Sequence, residues 1–406
     1  MPSDTSDTSK PTTTYRALLR NREFAGLYAS FTLTVAASTL SGFALGTLVD
    51  HQTGSPFLTA VSMYGATFAT VLGAMTLMSV ADGNHPRRTL VALQCVSLLG
   101  VAAQAVPGLP LAARFALLLL LGFFQSLGTG IRMGLLSEVV PISAYVPARS
   151  LMNITSGGTA VLGYALGAAL LRYLTPREVF VAATVLTGAA LVVVATTVRE
   201  RSIRPPRRPG LRETWVTNTA LFSRPGSRAL LLNLWVPGGL IVGCEALFIS
   251  YAPDHAGVLL AAGSAGMLLG DLTVGRLLTA ARRDRCAFPL RLLLAAPYLL
   301  FALHPPLPVA TVAVLLAGAG FAATLPLQEH LLALTPDPVR GQVQGVESAG
   351  RMTWQGIGAA LAGALAQYLT PATTITALAA LSVAVTVLSR PFVTRTRAVH
   401  VEKADT

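Results

Sequence analysis

The 406-residue chain is predicted to be an all-α integral membrane protein, with twelve transmembrane helices in two parallel six-helix bundles. Three observations carry that prediction. First, 53% of the residues are hydrophobic and only 12% charged, whereas soluble domains carry roughly 25% charged residues. Second, the apolar residues gather into stretches of about 20 with few charges, the length that crosses ~30 Å of hydrocarbon. Third, one stretch occurs twice. Residues 163–176 read GYALGAALLRYLTP and residues 358–371 read GAALAGALAQYLTP, identical at nine of fourteen positions and 195 residues apart.

The apolar stretches run over 24–49, 57–80, 89–106, 113–137, 149–171, 178–198, 229–251, 256–279, 290–304, 308–333, 345–368 and 373–389. Each is continuously apolar rather than alternating, which excludes barrel strands. A helix pairs every backbone polar group within its own segment, as lipid requires. The small residues within them, Gly163 and Gly167 among others, allow close helix approach. Residues 163 and 167 form such a spacing on span 5, where packing is the expected role.

Five regions follow: a polar tail (1–20), a first six-helix bundle (21–198), a basic linker (199–228), a second bundle (229–390) and a tail (391–406). The N-terminal tail lacks the short apolar core and cleavage site of a signal peptide. The linker carries eight arginines and includes a candidate amphipathic helix near Leu211–Phe222. With both termini inside, only Arg114, Arg172 and Arg177 among the 30 Lys and Arg residues face outward. That asymmetry is what the positive-inside rule demands, so both termini are expected to be cytoplasmic in a multi-pass plasma-membrane protein. The net charge of +12 thereby has a topological use and does not call for nucleic acid. The cysteines Cys95, Cys244 and Cys286 have neither metal-ligand nor disulfide spacing. No metal or cofactor is expected.

The repeat extends upstream. LLSEVVP (135–141) aligns with HLLALTP (330–336) at the same offset, so spans 4–6 match spans 10–12. Six is even, so both halves insert in the same sense and can rock about a shared cavity. Over residues 20–390 this organisation resembles the major facilitator superfamily. NREFAGLYAS and the LLSEVVP…VPARSLMN pattern are similar to bacterial members assigned to drug or small-metabolite efflux. The family's motif between spans 2 and 3, Gly-x-x-x-Asp-Arg-x-Gly-Arg-Arg, has a degenerate counterpart in MSVADGNHPRRTL. Asp82, Arg87 and Arg88 match its charged members. Met78 and Gly83 depart from it, and one residue is inserted. The resemblance implies a cytoplasmic latch at these three residues; an ordinary basic inner loop is the alternative. Span 5 has Gly163–Tyr164 where antiporter members carry Gly-Pro, a departure from the antiporter pattern.

Charged side chains are expensive inside a bilayer, so each is a candidate. Glu245 in span 7 and Asp271 in span 8 are the proton-coupling candidates, because a carboxyl in an apolar wall can take up and release a proton. Glu347 and Arg351 lie four residues apart on span 11 and share a face. Arg132 near the inner end of span 4 and Glu329 near that of span 10 are candidates for an inner gate bridging the halves. Spans 1, 4, 7 and 10 line the cavity in the family the chain resembles. Their polar or aromatic members Thr34, Ser38, Gln125, Asn233, Trp235 and Phe321 are the substrate-contact candidates.

The expected function is secondary active transport of a small hydrophobic or amphipathic molecule by alternating access, as proton-coupled efflux through an antiporter. The expected partners are that solute, protons and the lipid bilayer, with the chain a monomer. Two alternatives remain: an importer or facilitator of a small nutrient, which would require convergent charged or amide groups in the cavity, and a non-transporting membrane sensor. No enzyme is expected, because HExxH, GxSxG and Walker patterns are lacking.

Overall fold

The computed structural model describes residues 15–77, 85–200, 219, 221–223, 225–336 and 340–404. Asp82 and most of the basic linker, with its candidate amphipathic helix, lie outside the described residues.

Twelve long helical segments are present among the described residues, with no strand. They are α1 (Arg22–Thr53), α2 (Pro56–Leu77), α3 (Pro86–Gln104), α4 (Leu111–Val139), α5 (Ile142–Leu171) and α6 (Pro176–Thr197) in the first half. The second half has α7 (Pro225–Ala246), α8 (Ala256–Leu277), α9 (Ala281–Leu303), α10 (Leu307–Ala333), α11 (Arg340–Leu365) and α12 (Pro371–Ala404). Ten of these are long and apolar enough to cross a membrane. The exceptions, α3 and α11, carry Arg87, Arg88, Gln94 and Gln104, and Arg340, Glu347, Arg351 and Gln355. Both pack among the other helices, consistent with twelve spans.

Helix ends follow local sequence. Asn21 caps α1: its Oδ1 accepts from the amides of Glu23 and Phe24, and its Nδ2 donates to the Val139 carbonyl. At the other end of α1, Gly54 adopts φ +57°, a left-handed turn that costs glycine least. Thr175 and Glu178 form a capping box at the start of α6. Two ends differ from the sequence expectation. A short helix occupies Tyr15–Arg20 within the polar tail, and α12 continues to Ala404, well past the end expected for span 12.

The halves repeat one another in packing as well as in sequence. In the first, α1 packs on α5 and α6, α2 on α4, and α3 on α6. In the second, α7 packs on α11 and α12, α8 on α10, and α9 on α12. The halves meet through α2 against α11 and α5 against α8. We call the end bearing the α2–α3, α4–α5, α8–α9 and α10–α11 connections proximal and the opposite end distal.

The distal end is closed. Gln367 Nε2 donates to Ser55 Oγ at 2.8 Å, and Ser250 Oγ donates to Asp50 Oδ1 at 3.1 Å. A Cβ at Gly363 would sit 2.7 Å from Phe57 Cα, so the chains touch backbone to backbone. Toward the proximal end the packing loosens. Nothing lies within 4 Å of where a Cβ would stand at Gly130, Gly158 or Gly345, on α4, α5 and α11. The hydrogen bonds just named between the halves lie at the distal end.

Candidate functional site

Helix α7 is the most buried of the ten apolar spans. Its glycines explain how: a Cβ at Gly243 would lie 2.5 Å from the Gly358 carbonyl oxygen of α11. That approach places Glu245, at the distal end of α7, against four other elements. Tyr64 of α2 interacts directly with its carboxyl. Tyr164 of α5 and Tyr298 of the α9 extension stand around it. Gly263 of α8 leaves room beside Oε1. Two of these elements belong to the first half and two to the second. Glu245 is 6% exposed, and its Oε1 and the Tyr298 hydroxyl have no partner within hydrogen-bond distance. A carboxyl ringed by phenols has neutral neighbours whether it holds its proton or releases it, so it suits reversible proton transfer.

A second polar cluster lies in the proximal part of the second half. Pro237 interrupts α7. Having no N–H, it leaves the carbonyl of Asn233, four residues earlier, without its helical donor. Arg291 of α9 reaches across and donates through Nη1 to that carbonyl. Its Nε and Nη2 are buried without a partner. The guanidinium borders a small, open-mouthed cavity of about 20 Å³ between α7, α9, α10 and α11. Arg351, Gln355, Thr324 and Phe321 also line it. Arg351 Nε donates to Glu347 Oε1 at 3.2 Å, and Gln328 Nε2 donates to Glu347 Oε2 at 3.2 Å.

The remaining expected residues are engaged by neighbouring groups or lie elsewhere. Asn233 lines this cavity, but its amide is engaged, donating to the Ala229 carbonyl and accepting from Ser389. Trp235 is buried and donates its indole N–H to the Glu347 carbonyl at 2.9 Å. It therefore ties α7 to α11, a role that its place on a cavity helix did not reveal. Thr34 accepts from Gln94 of α3 and donates to the Ser30 carbonyl. Ser38 and Gln125 are exposed. Asp271 is also exposed, with no hydrogen bond or ion pair among the described residues. Arg132 and Glu329 are not brought together. The Arg132 guanidinium lies 5.3 Å over the Phe31 ring, while Glu329 pairs with Arg283 of its own half at 2.8 Å.

At the α2–α3 end, Arg87 donates to the Ala195 carbonyl at 2.6 Å, at the last turn of α6. Arg88 and His85 approach Glu200 at 3.9 and 3.5 Å. The basic pair is thus tied to α6 and the residues after it. Glu200, whose role the motif did not signal, supplies the acid.

Sequence reasoning missed Arg291, Tyr64 and Tyr298. Pro237 inside an apolar span was the available signal for the first, since its orphaned carbonyl needs a donor. Nothing in the sequence marked Tyr64 or Tyr298.

The arrangement is similar to known transporters. No curated protein sequence matches the chain. A POT family transporter solved with 5-aminolevulinic acid aligns at TM-score 0.74 and 11% identity, over 95% of this chain and 98% of that one. A nucleoside transporter, NupG (D323A mutant), aligns at 0.73 and 12%, over 91% and 99%. A D-xylose–proton symporter aligns at 0.65 and 14%, over 93% and 99%. At these identities the likeness shows the fold. The model of the Major Facilitator Superfamily matches residues 26–254, more than half the chain. Repeated halves, a closed distal interface and this match lead to one conclusion: the chain belongs to the Major Facilitator Superfamily and is a membrane transporter, not an enzyme.

Proposed function

We propose that the chain is a proton-coupled exporter of a small amphipathic molecule, working in the plasma membrane with both termini cytoplasmic. With that orientation the proximal end faces the cytoplasm and the conformation is inward-open. The observation that carries the reading is Glu245, a buried carboxyl where four helices from both halves converge. Rocking of the halves would change what surrounds it, which is how protonation and alternating access become coupled. Outward flux rests on the local resemblance of NREFAGLYAS and LLSEVVP…VPARSLMN to efflux members.

A second reading, proton-coupled uptake of a polar solute, is favoured by the convergence of Arg291, Arg351, Gln355 and Thr324 on one cavity. That is the pattern an importer of a charged nutrient requires. Flux measured in proteoliposomes of both orientations, under an imposed pH gradient, decides direction. Glu245→Gln is expected to abolish gradient-driven flux while keeping solute exchange at equal pH. Undiminished gradient-driven flux in that variant removes Glu245 from the mechanism.

A further inference from the structure

The cavity of the second half holds a positive charge that the fold leaves unmatched. Arg351 is balanced by Glu347. Arg291 is not: its partner is a neutral backbone carbonyl, and two of its donor nitrogens are buried with none. Only 6% of Arg291 is exposed. Among the described residues, no acidic one lines the cavity. A buried guanidinium without a counter-charge is costly, and satisfying the Asn233 carbonyl needs only one N–H, not a full charge. Leu234, Leu294 and Leu327 make the adjoining wall apolar.

We propose that this cavity is an anion subsite, in which Arg291, assisted by Arg351, takes the carboxylate or phosphate-type head of an amphipathic ligand whose apolar part lies outside, at the open mouth of the cavity. The unpartnered Nε and Nη2 of Arg291 are adjacent, buried donors, the fork that matches a carboxylate or phosphate bidentately, and a head group that displaces water from the small cavity is what would reach them. The net charge of Arg291, Arg351 and Glu347 is one positive unit, so a monovalent anion neutralises the cavity. Gln355 and Thr324 supply further polar groups at the rim. The assignment rests on the transport reading only in making this head part of the solute; a lipid headgroup of the same chemistry is the other source.

The test is isothermal titration calorimetry of the purified, detergent-solubilised chain at neutral pH. The probes are 1-naphthoate, 1-naphthyl phosphate, neutral 1-naphthamide and cationic 1-naphthylmethylamine. The naphthoate or the phosphate is expected to bind, and the amide and amine are not. Arg291→Gln should weaken anion binding roughly 10- to 100-fold, the loss expected for a charge-assisted pair. Thr324→Glu, which leaves Arg291 in place but supplies a carboxylate beside it, should abolish anion binding without lowering thermal stability. Nanodiscs of phosphatidylglycerol rather than phosphatidylcholine separate the sources: competition with naphthoate only in phosphatidylglycerol assigns the site to lipid, and its absence assigns it to solute. Equal binding of the amide, or naphthoate affinity unchanged in both variants, overturns the proposal. Arg291-dependent binding without any proton-driven flux would uphold the subsite and refute the transport reading alone.

Discussion

The distal contacts hold the two halves together at that end, and their removal should shift the arrangement by a calculable amount. Gln367→Ala with Ser250→Ala deletes two of the hydrogen bonds between the halves, at 2.8 and 3.1 Å. Neither leaves a stranded partner. Ser55 Oγ still accepts from the Leu58 amide, and Asp50 still accepts from Thr59. The loss is therefore that of the bonds themselves. Both are at least partly exposed, so together they contribute roughly 1–2 kcal/mol. That corresponds to a roughly 5- to 30-fold rise in the population open at the distal end. Ala60 reports that population. It is fully buried between α2, Ala246 of α7 and Ala359 of α11, and only separation of the halves exposes it. After Cys95, Cys244 and Cys286 are replaced by Ala, the thiol of Ala60→Cys should react with a membrane-impermeant maleimide added on the distal side. When closing is faster than labelling, the rate follows the open population. The double variant is expected to label about 5- to 30-fold faster than its parent. A change below twofold, in protein of unaltered thermal stability, would refute the claim that these bonds hold the distal gate.

Two further expectations follow from the packing. Gly243→Ala should push α7 about 1 Å from α11, because its Cβ would stand 2.5 Å from the Gly358 oxygen and carbon contacts settle near 3.5 Å. We expect a destabilisation of about 1–3 kcal/mol, against no loss for Gly158→Ala, whose Cβ would meet nothing; thermal unfolding in detergent compares them, and equal midpoints would refute it. Asn21→Ala should cost about 1 kcal/mol through the lost α1 cap and also free Val139, loosening the proximal end of α4. Amide exchange at Glu23 and Phe24 measures the cap, and unchanged protection there would count against it.

Much of the molecule was legible in the sequence. The GYALGAALLRYLTP repeat correctly announced two like-inserted halves, and its glycines were correctly assigned to packing: a Cβ at Gly163 would sit 2.8 Å from Thr39 of α1. The two copies differ at Arg172 and Gln367, and the second provides a distal contact between halves through Gln367. Glu347 and Arg351 pair as their spacing required. Asn233 and Trp235 were singled out on the right helix; Asn233 lines the cavity, and packing on α11 and α12 engages the polar groups of both, which the sequence did not signal.

The sequence by itself determined the all-helical membrane architecture, because insertion into lipid is decided span by span, from hydropathy. It also determined the two-fold repetition. The tertiary structure decided which side chains meet: Glu245 with Tyr64, Tyr164 and Tyr298, and Arg291 with the carbonyl that Pro237 orphans. The physical reason is that lipid is as apolar as the interior of a helix bundle. A spanning helix needs no polar outer face, so its sequence carries little record of which side is buried or what it is buried against. Those partners are fixed only when glycine-lined helices pack and bring distant residues within a few ångströms.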